Sequence, residues 1–408
     1  MKILVVCQHY YPEPFVIYKI AEQLVSFGHE VHVVTGLPNY GYYRIMDGYD
    51  KNGNIDEVIN GVFVHRVKLM PRKASKLSIC QNYLSFWKNS KRYVNKLDGS
   101  FDLVFSMTLS PVISAAAGNL YQKKYKVPHI HYCVDLWPES LVITNTIKPK
   151  GLLYDFFYKW SRSIYSKATK LLVSSPSFLE YFKNVLKLDL DYGVLPQPCL
   201  EVKKVNEPIV YKEGTINIVY CGNMGKVQAL NYVYEAMEKF KGKEIYFHFI
   251  GMGSEKEAFF KCVKEKGLET QIIDHGPLPS HIAASYFKNA DALYVSLKKD
   301  GYVGKTIPNK LVFYMSFGKP IIAMVDYDAR DVLLDSNGAI IVDESTQSLI
   351  EGIEKFISLS KEEKEKLGSN NQVYYQNHFS LESLVRKLEA EMLALKKWST
   401  LLTTVFKE

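Results

Sequence analysis

Gly304-Lys-Thr-Ile-Pro-Asn-Lys-Leu-Val-Phe-Tyr-Met-Ser-Phe-Gly-Lys-Pro-Ile-Ile-Ala323 reads as a loop, a helix and a buried strand in quick succession. Pro308 suits the first turn of a helix, where its missing N–H would have no partner in any case. Leu311, Tyr314 and Met315 follow at helical spacing, Gly318 ends the helix, and Pro320 opens an apolar β-run. A helix that begins after such a loop presents free N–H groups and a partial positive charge, which suits a phosphate. Lys310 in the first turn adds a full charge. An ordinary βα connection has the same pattern, so the stretch sets an element of the fold and leaves its chemistry open.

Working outward, Lys2-Ile-Leu-Val-Val-Cys-Gln-His-Tyr-Tyr-Pro-Glu13 is a buried strand and a turn, a helix through Ala21–Leu24 stops at Gly28, and His29–Tyr40 gives a second strand and loop. Apolar runs at 101–106, 129–134 and 170–175 alternate with helical patterns, which implies a parallel sheet covered on both faces. Between Leu195 and Ile209 the pattern breaks into Pro196, Gln197, Pro198, Glu201 and Pro208, an interdomain linker. A second cycle follows: a strand at 216–221, a turn at Gly222-Asn-Met-Gly225, a helix at 230–240, and strands at 245–250, 272–275, 292–295 and 321–324. The expectation is an α/β chain of two Rossmann-like domains. A length of 408 residues agrees, being too long for one core.

Composition, 47% apolar and 23% charged, is that of an ordinary soluble protein. No run approaches the roughly 18 apolar residues of a membrane-spanning helix, and the chain opens as a strand with no signal peptide. Six scattered cysteines without C-x-x-C spacing read as buried thiols of a reducing compartment, which points to the cytoplasm. The net charge of +8 is concentrated: Arg66 to Lys96 holds nine Lys or Arg and no Asp or Glu, interleaved with Tyr83, Leu84, Phe86, Trp87 and Tyr93. Such a segment suits an anionic membrane surface; a solvated helix face and a nucleic-acid patch are the competing readings.

Single motifs are weak. The glycines of Gly222–Gly225 let a backbone approach a diphosphate, but a structural tight turn looks the same, and Gly251-Met-Gly253 is equally a helix-entry turn. Asp135 follows a strand and is either a cleft residue or a helix cap with Pro138 in the first turn. Asp189/Asp191 and Asp326/Asp328 read as turn residues rather than metal ligands, and no metal site is expected.

Taken together the stretches resemble family 4 retaining, nucleotide-sugar-dependent glycosyltransferases, in the branch of bacterial enzymes that build capsule, O-antigen and exopolysaccharide repeat units. The likeness rests on Pro308-Asn-Lys-Leu-Val-Phe-Tyr-Met-Ser-Phe-Gly-Lys-Pro320, on Arg44 with Asp47-Gly48-Tyr49, on Gly222–Gly225 with Gln228, and on Asp135-Leu-Trp-Pro-Glu-Ser140; it runs to about Ala390. The resemblance implies a GT-B architecture, with an acceptor domain (1–200) facing a donor domain (201–377) across a cleft. A C-terminal helix near 378–398 would cross back to the first domain.

It implies catalytic roles for Asp135, Lys226 and Lys310. Donor binding falls to Gly222, Asn223, Gly225, Gln228, Gly251, Gly276, Pro277, Thr306, Ile307, Pro308 and Asn309. Acceptor binding falls to Glu13, Asn39, Arg44, Trp137 and Glu139, and membrane contact to Arg72, Lys73, Lys76, Trp87, Lys91 and Arg92. The implied reaction moves a hexosyl or N-acetylhexosaminyl group from a UDP-sugar to a lipid-linked saccharide at the inner face of the cell membrane, with no metal or other cofactor and no nucleic-acid partner. Lys305 and Phe313 depart from the family's two glutamates, Ala229 replaces a common Gly, and Val134, Val16 and Tyr18 differ at acceptor-side positions. A catalytically silent GT-B partner and a sugar-nucleotide epimerase are the alternatives.

Overall fold

The computed structural model describes residues 1–41, 43–49, 55–73, 75–143, 146–200, 202 and 209–405, the side chains of 303 and 398–405 excepted. The chain divides into two compact units, Met1–Gln197 with Leu381–Glu408, and Pro198–Ser380. Much of the linker stretch, Glu201 and Pro208 included, lies outside the described residues.

The first unit runs β1 (Lys2–Val6), α1 (Ile17–Ser26), β2 (Glu30–Gly36), β3 (Ile55–Ile59), β4 (Val62–Val67), α2 (Lys76–Val94), β5 (Leu103–Thr108), α3 (Ala116–Tyr125), β6 (His129–Cys133), α4 (Glu139–Ile143), α5 (Leu152–Tyr165), β7 (Lys170–Val173), α6 (Phe178–Glu180) and β8 (Asp191–Val194). Its sheet has the order β3-β4-β2-β1-β5-β6-β7-β8. The strands are parallel except β3, which pairs antiparallel with β4. That hairpin corrects the all-parallel expectation. It turns on Asn60 and Gly61 at φ +49° and +84°, the two positive values that a two-residue hairpin loop requires.

Helix α2 starts where Ser75 Oγ accepts the Ser78 N–H, and it buries Ser78, Asn82, Phe86, Ser90 and Val94 on one face. Asn82 is central to that face. Its amide oxygen accepts from Gln8 Nε2 at 2.7 Å, and its Nδ2 donates to the Met70 carbonyl at 2.6 Å and to Asn39 Oδ1 at 3.1 Å. The basic segment is therefore a docked helix whose outer face is the charged one. Arg66 does not belong to that outer face: it is wholly buried, paired with Glu57, and it donates to the Tyr11 carbonyl.

The second unit runs β9 (Ile216–Cys221), α7 (Asn231–Met237), β10 (Ile245–Ile250), α8 (Lys256–Glu265), β11 (Ile272–Asp274), α9 (Ser280–Asn289), β12 (Ala292–Ser296), α10 (Gly301–Gly304), α11 (Asn309–Met315), β13 (Ile321–Met324), α12 (Tyr327–Ser336), β14 (Ala339–Ile341), α13 (Thr346–Ser358) and α14 (Lys361–His378). Its sheet is parallel in the order β11-β10-β9-β12-β13-β14. Unbroken apolar strands such as Ile321–Met324 are buried on both faces, as helices on either side of a parallel sheet require.

The last helix, α15 (Leu381–Val405), belongs to the first unit, so the chain leaves that unit and returns to it. Leu384, Val385, Leu388 and Met392 are buried on it, each worth about 1.5–3 kcal/mol relative to exposure. Glu389 pairs with His29 at 2.8 Å, Glu391 with Lys170 at 2.8 Å and Lys396 with Asp102 at 3.1 Å. All six cysteines are free thiols; Cys80, on the outer face of α2, is exposed, contrary to the expectation of burial.

Candidate active site

In the second unit, β9 and β12 are neighbours from which the chain winds outward in opposite directions, so a crevice opens beyond their C-terminal ends. Gly222 leaves β9 at φ +136° and Gly251 leaves β10 at φ +145°. A Cβ on Gly251 would stand 2.0 Å from the Gly222 carbonyl oxygen, and one on Gly253 would stand 2.3 Å from that of Met224. The two turns pack backbone on backbone, with the Gly222 N–H on the Ile250 carbonyl and the Met224 N–H on the Met252 carbonyl, both at 2.9 Å. Glycine at 251 and 253 therefore has a spatial cause within the fold. The Gly251 N–H in turn reaches the Gly276 carbonyl at 2.8 Å, joining three of the expected donor residues in one backbone chain.

Lys310, in the first turn of α11, comes back across this crevice. Its Nζ donates to Tyr220 OH at 2.6 Å and to Gln228 Oε1 at 2.9 Å, and lies 4.0 Å from the centre of the Tyr220 ring. A Cβ on Gly222 would be 3.3 Å from Lys310 Cε, so the missing side chain is what admits the amine beside the turn. Burial pulls the Lys310 amine down to about 7, with Cys221 opposing, because neither neutral partner compensates the lost hydration of a charge. The same burial pushes the Cys221 thiol up to about 11. Tyr314, one turn along α11, accepts the Cys221 N–H at 2.7 Å and donates to the Cys221 carbonyl at 3.1 Å, pinning the end of β9 to the helix. Ser296 at the end of β12 donates to the Gln228 carbonyl.

Lys226, in the short turn after Gly225, is exposed, as are Asn223 and Asn309; Gly225, Thr306, Ile307 and Pro308 are half-buried. Pro308 caps α11 in an extended conformation, and that helix is only seven residues long, ending before Gly318. Its dipole is correspondingly shorter than the sequence pattern implies. Gly276 holds φ +67° with its N–H on Asp274 Oδ1 at 2.8 Å, and Pro277 beside it is exposed. Phe313 packs edge-on between Phe287 and Phe317, with ring centres 5.7 and 5.1 Å away. The position where the family carries its second glutamate is here a half-buried aromatic packed against the core.

In the first unit the corresponding end of the sheet gathers Glu13, Asn39 and Asp135, in loops that follow β1, β2 and β6. Glu13 is buried. Its Oε1 accepts the Asn39 and Tyr40 N–H groups at 2.8 and 2.6 Å, and its Oε2 meets His9 Nδ1 at 3.0 Å. Asn39 is buried too, accepting from Asn82 and from the Arg72 N–H at 3.0 Å. These two expected acceptor residues spend their polar groups on the fold. Trp137 does the same: it is buried against Phe157 at 4.8 Å and Trp160 at 6.2 Å.

His9, stacked on Phe15 at 4.8 Å, is the residue that Glu13 orients, and it lines a small cavity with Ser110 between the ends of β1 and β5. Asp135 is exposed, in the loop that follows β6. Arg44 is an exposed partner of Asp47, with both bonds at 2.9 Å, and Glu139 accepts from Tyr154 OH at 2.6 Å. Arg72 packs over the Tyr40 and Tyr83 rings, beside Asn39. Lys73, Lys76 and Arg92 are exposed and Trp87 and Lys91 half-buried. Among the described residues no group of three His, Cys, Asp or Glu is placed to hold a metal ion. No described helix is long and apolar enough to cross a membrane.

Tyr220, Ser296 and His9 are candidate site residues that the expected roles leave out, and Tyr314, though inside the 308–320 motif, has no role assigned to it there. Only His9 carries a local signal, four residues ahead of Glu13.

The sequence matches the "Glycosyl transferase 4-like domain" over residues 15–189 and "Glycosyl transferases group 1" over residues 203–373. The chain belongs to the family 4 glycosyltransferases. It is 24% identical over 395 residues to the putative colanic acid biosynthesis glycosyl transferase WcaI of Escherichia coli K12, covering 88% of this chain and 93% of that one. To the probable glycosyltransferase WbjE of Pseudomonas aeruginosa it is 27% identical over 223 residues, which cover 50% of this chain and 53% of WbjE, so this match spans about half of that relative. Among solved structures, Anabaena HepE in complex with UDP superposes with a TM-score of 0.67 at 11% identity, over 97% of this chain and 100% of that one. The fold of this glycosyltransferase, two parallel-sheet domains with a returning C-terminal helix, is GT-B.

Proposed function

We propose that the chain is a retaining transferase that moves a hexosyl or N-acetylhexosaminyl group from a UDP-sugar to a lipid-linked saccharide during surface polysaccharide synthesis. One observation carries the reading: a lysine amine held by two neutral partners, Tyr220 and Gln228, against the glycine turn that ends β9. Among the described residues this half-buried amine has no carboxylate partner, so it is short of one negative charge, which a diphosphate supplies. HepE, solved with UDP, and WcaI, named for colanic acid synthesis, support the choice of nucleotide and pathway class.

In this reading the bond from the sugar's anomeric carbon to the diphosphate oxygen breaks while Lys310, exposed Lys226 and the turn's backbone take up the growing charge. The acceptor hydroxyl adds on the same face, and its proton passes to the departing diphosphate. No divalent ion is called for, since two lysines and backbone dipoles supply the positive field. Asp135, exposed at the end of the first unit's sheet, serves the catalytic step, and His9, which Glu13 holds in place, meets the acceptor. Lys73, just ahead of α2, with Lys76 and Arg92 on that helix, brings the protein to an anionic membrane from the cytoplasmic side.

Phe313 gives the silent-partner reading its support, because no carboxylate stands there to hold the ribose. Calorimetric titration with UDP and GDP decides between the two. Saturable binding of UDP, weakened at least tenfold in Lys310→Ala, is the expected result; flat titrations with both nucleotides would refute the enzyme reading. A panel of nucleotide sugars, assayed by mass spectrometry for released UDP with a lipid extract as acceptor, then names the donor.

A further inference from the structure

The opposite end of the first unit carries a second groove, of about 790 Å³, running over α3 between α2 and α5. Its walls include Trp87 and Trp160, which meet edge to face at 6.2 Å, and Lys91, Lys123, Lys126 and Lys167 stand on its lining. No Asp or Glu is among the lining residues, and among the described residues none of the four lysines is in an ion pair. Pro128 precedes β6 and Thr169 precedes β7, so the groove opens where these parallel strands begin. Glu13 and Asp135 follow strands that end at the other edge. The groove is therefore not the acceptor end of the unit.

Both flanking helices connect parallel strands and so run in the same direction. Each carries one stripe whose character changes along the helix. On α5 the stripe reads Leu152, Phe156, Trp160, Ser163 and then Lys167 just past the helix; Leu152 is 90%, Leu153 61% and Phe156 57% exposed. On α2 it reads Leu77, Leu84, Trp87 and Lys91, with Leu77 69% and Leu84 46% exposed and Lys91 Nζ 4.8 Å from the Trp87 ring. The two stripes lie side by side, apolar at one end and basic at the other, with the tryptophans in contact between them.

We propose that this groove seats one anionic phospholipid of a bilayer, its phosphate among Lys91, Lys123, Lys126 and Lys167 and its glycerol end against Trp87 and Trp160, while Leu152, Leu153 and Phe156 enter the membrane surface. The proposal deepens the membrane reading given above and adds a second helix, α5, to it. Charge complementarity selects an anion. The exposed leucines select an amphiphile over a soluble nucleotide or glycan, which would account for the lysines and tryptophans alone.

Intrinsic tryptophan fluorescence of the full chain, titrated with monomeric dihexanoyl phosphatidylglycerol below its micelle concentration, tests the groove without a bilayer. A saturable change is expected, weakened about tenfold or more in Lys123→Gln/Lys126→Gln/Lys167→Gln and absent with dihexanoyl phosphatidylcholine. Flotation with phosphatidylglycerol vesicles tests the surface: Leu153→Gln/Phe156→Gln should lower the bound fraction several-fold, and brominated phosphatidylglycerol should quench wild-type fluorescence. Unchanged UDP affinity in both variants shows that they fold. Wild-type flotation without quenching, and with both variants unaffected, would overturn the groove while leaving the membrane reading through α2 in place. Saturation by an acidic peptide with no response to the short-chain lipid would overturn it in favour of a protein partner.

Discussion

Donor binding should take up a proton. Lys310 sits near pKa 7 in the free protein because its amine is desolvated against Tyr220 and Gln228. A diphosphate beside it restores the charged form. Affinity is then governed by the fraction already protonated, and the apparent Kd grows as 1 + 10^(pH − 7). That is about tenfold between pH 6 and pH 8, or about 1.4 kcal/mol. UDP-glucose is a suitable ligand, because its diphosphate stays fully ionised over this range. The neighbouring Tyr220 and Cys221 do not interfere, since burial pushes both upward, Cys221 to about 11.

Calorimetry in two buffers of different ionisation enthalpy should report uptake of about 0.1 proton at pH 6, about 0.5 at pH 7 and about 0.9 at pH 8. In Lys310→Met the residual binding should lose both the slope and the uptake. A wild-type Kd constant from pH 6 to pH 8 with no proton exchanged would refute the reasoning, whatever the affinity. The sign for folding is the reverse. Between pH 7 and 10.5 the unfolded chain holds a proton here that the native chain does not, so this lysine's contribution to stability rises with pH across that window.

Other substitutions test the surroundings. Phe313→Glu places a carboxylate between Phe287 and Phe317 and should cost about 2–3 kcal/mol in urea unfolding; tighter UDP-glucose binding at unchanged stability would show that the position faces the ribose instead. Glu13→Gln weakens charge-assisted bonds to the Asn39 and Tyr40 N–H groups, so a loss of about 1.5–3 kcal/mol is expected, and an unchanged unfolding midpoint would contradict the clamp. Replacing Lys73, Lys76, Lys88 and Arg92 by Gln should release the protein from anionic vesicles. Wild-type binding should fall steeply above about 0.1 M salt, and salt-insensitive binding would point away from α2.

Buried parallel strands were the most legible part of the chain. Ile216–Cys221, Ile245–Ile250 and Ile321–Met324 have the bounds their apolar runs suggest, because a strand covered on both faces must be apolar throughout. The Ile55–Val67 hairpin is written more faintly, in a half-exposed alternation whose one firm sign is Asn60-Gly61. Site chemistry was legible as backbone and opaque as side-chain pairing. The Gly222 turn and Lys310 each stand out alone, but Tyr220 lies 90 residues from its lysine, and no periodicity links them. Glu13 and Trp137 stand in motifs that look like ligand contacts. Only the folded chain shows that one clamps a loop and the other fills an aromatic core, since a carboxylate or an indole serves either purpose with the same letters.

The return of α15 to the first unit has a consequence for how the protein is made. Leu384, Leu388 and Met392 complete the packing of that unit, yet the ribosome must first translate all of Pro198–Ser380. At roughly 5–20 residues per second the delay is on the order of 10–40 seconds. Throughout it the nascent N-terminal half waits with an apolar trough uncovered and His29, Asp102 and Lys170 without the partners that α15 brings. The second unit contains its own sheet from first strand to last and can close while the first stands open. Folding order is thus the inverse of synthesis order at this one seam, and nascent chains halted before Leu381 should be the form that chaperones hold and proteases clip.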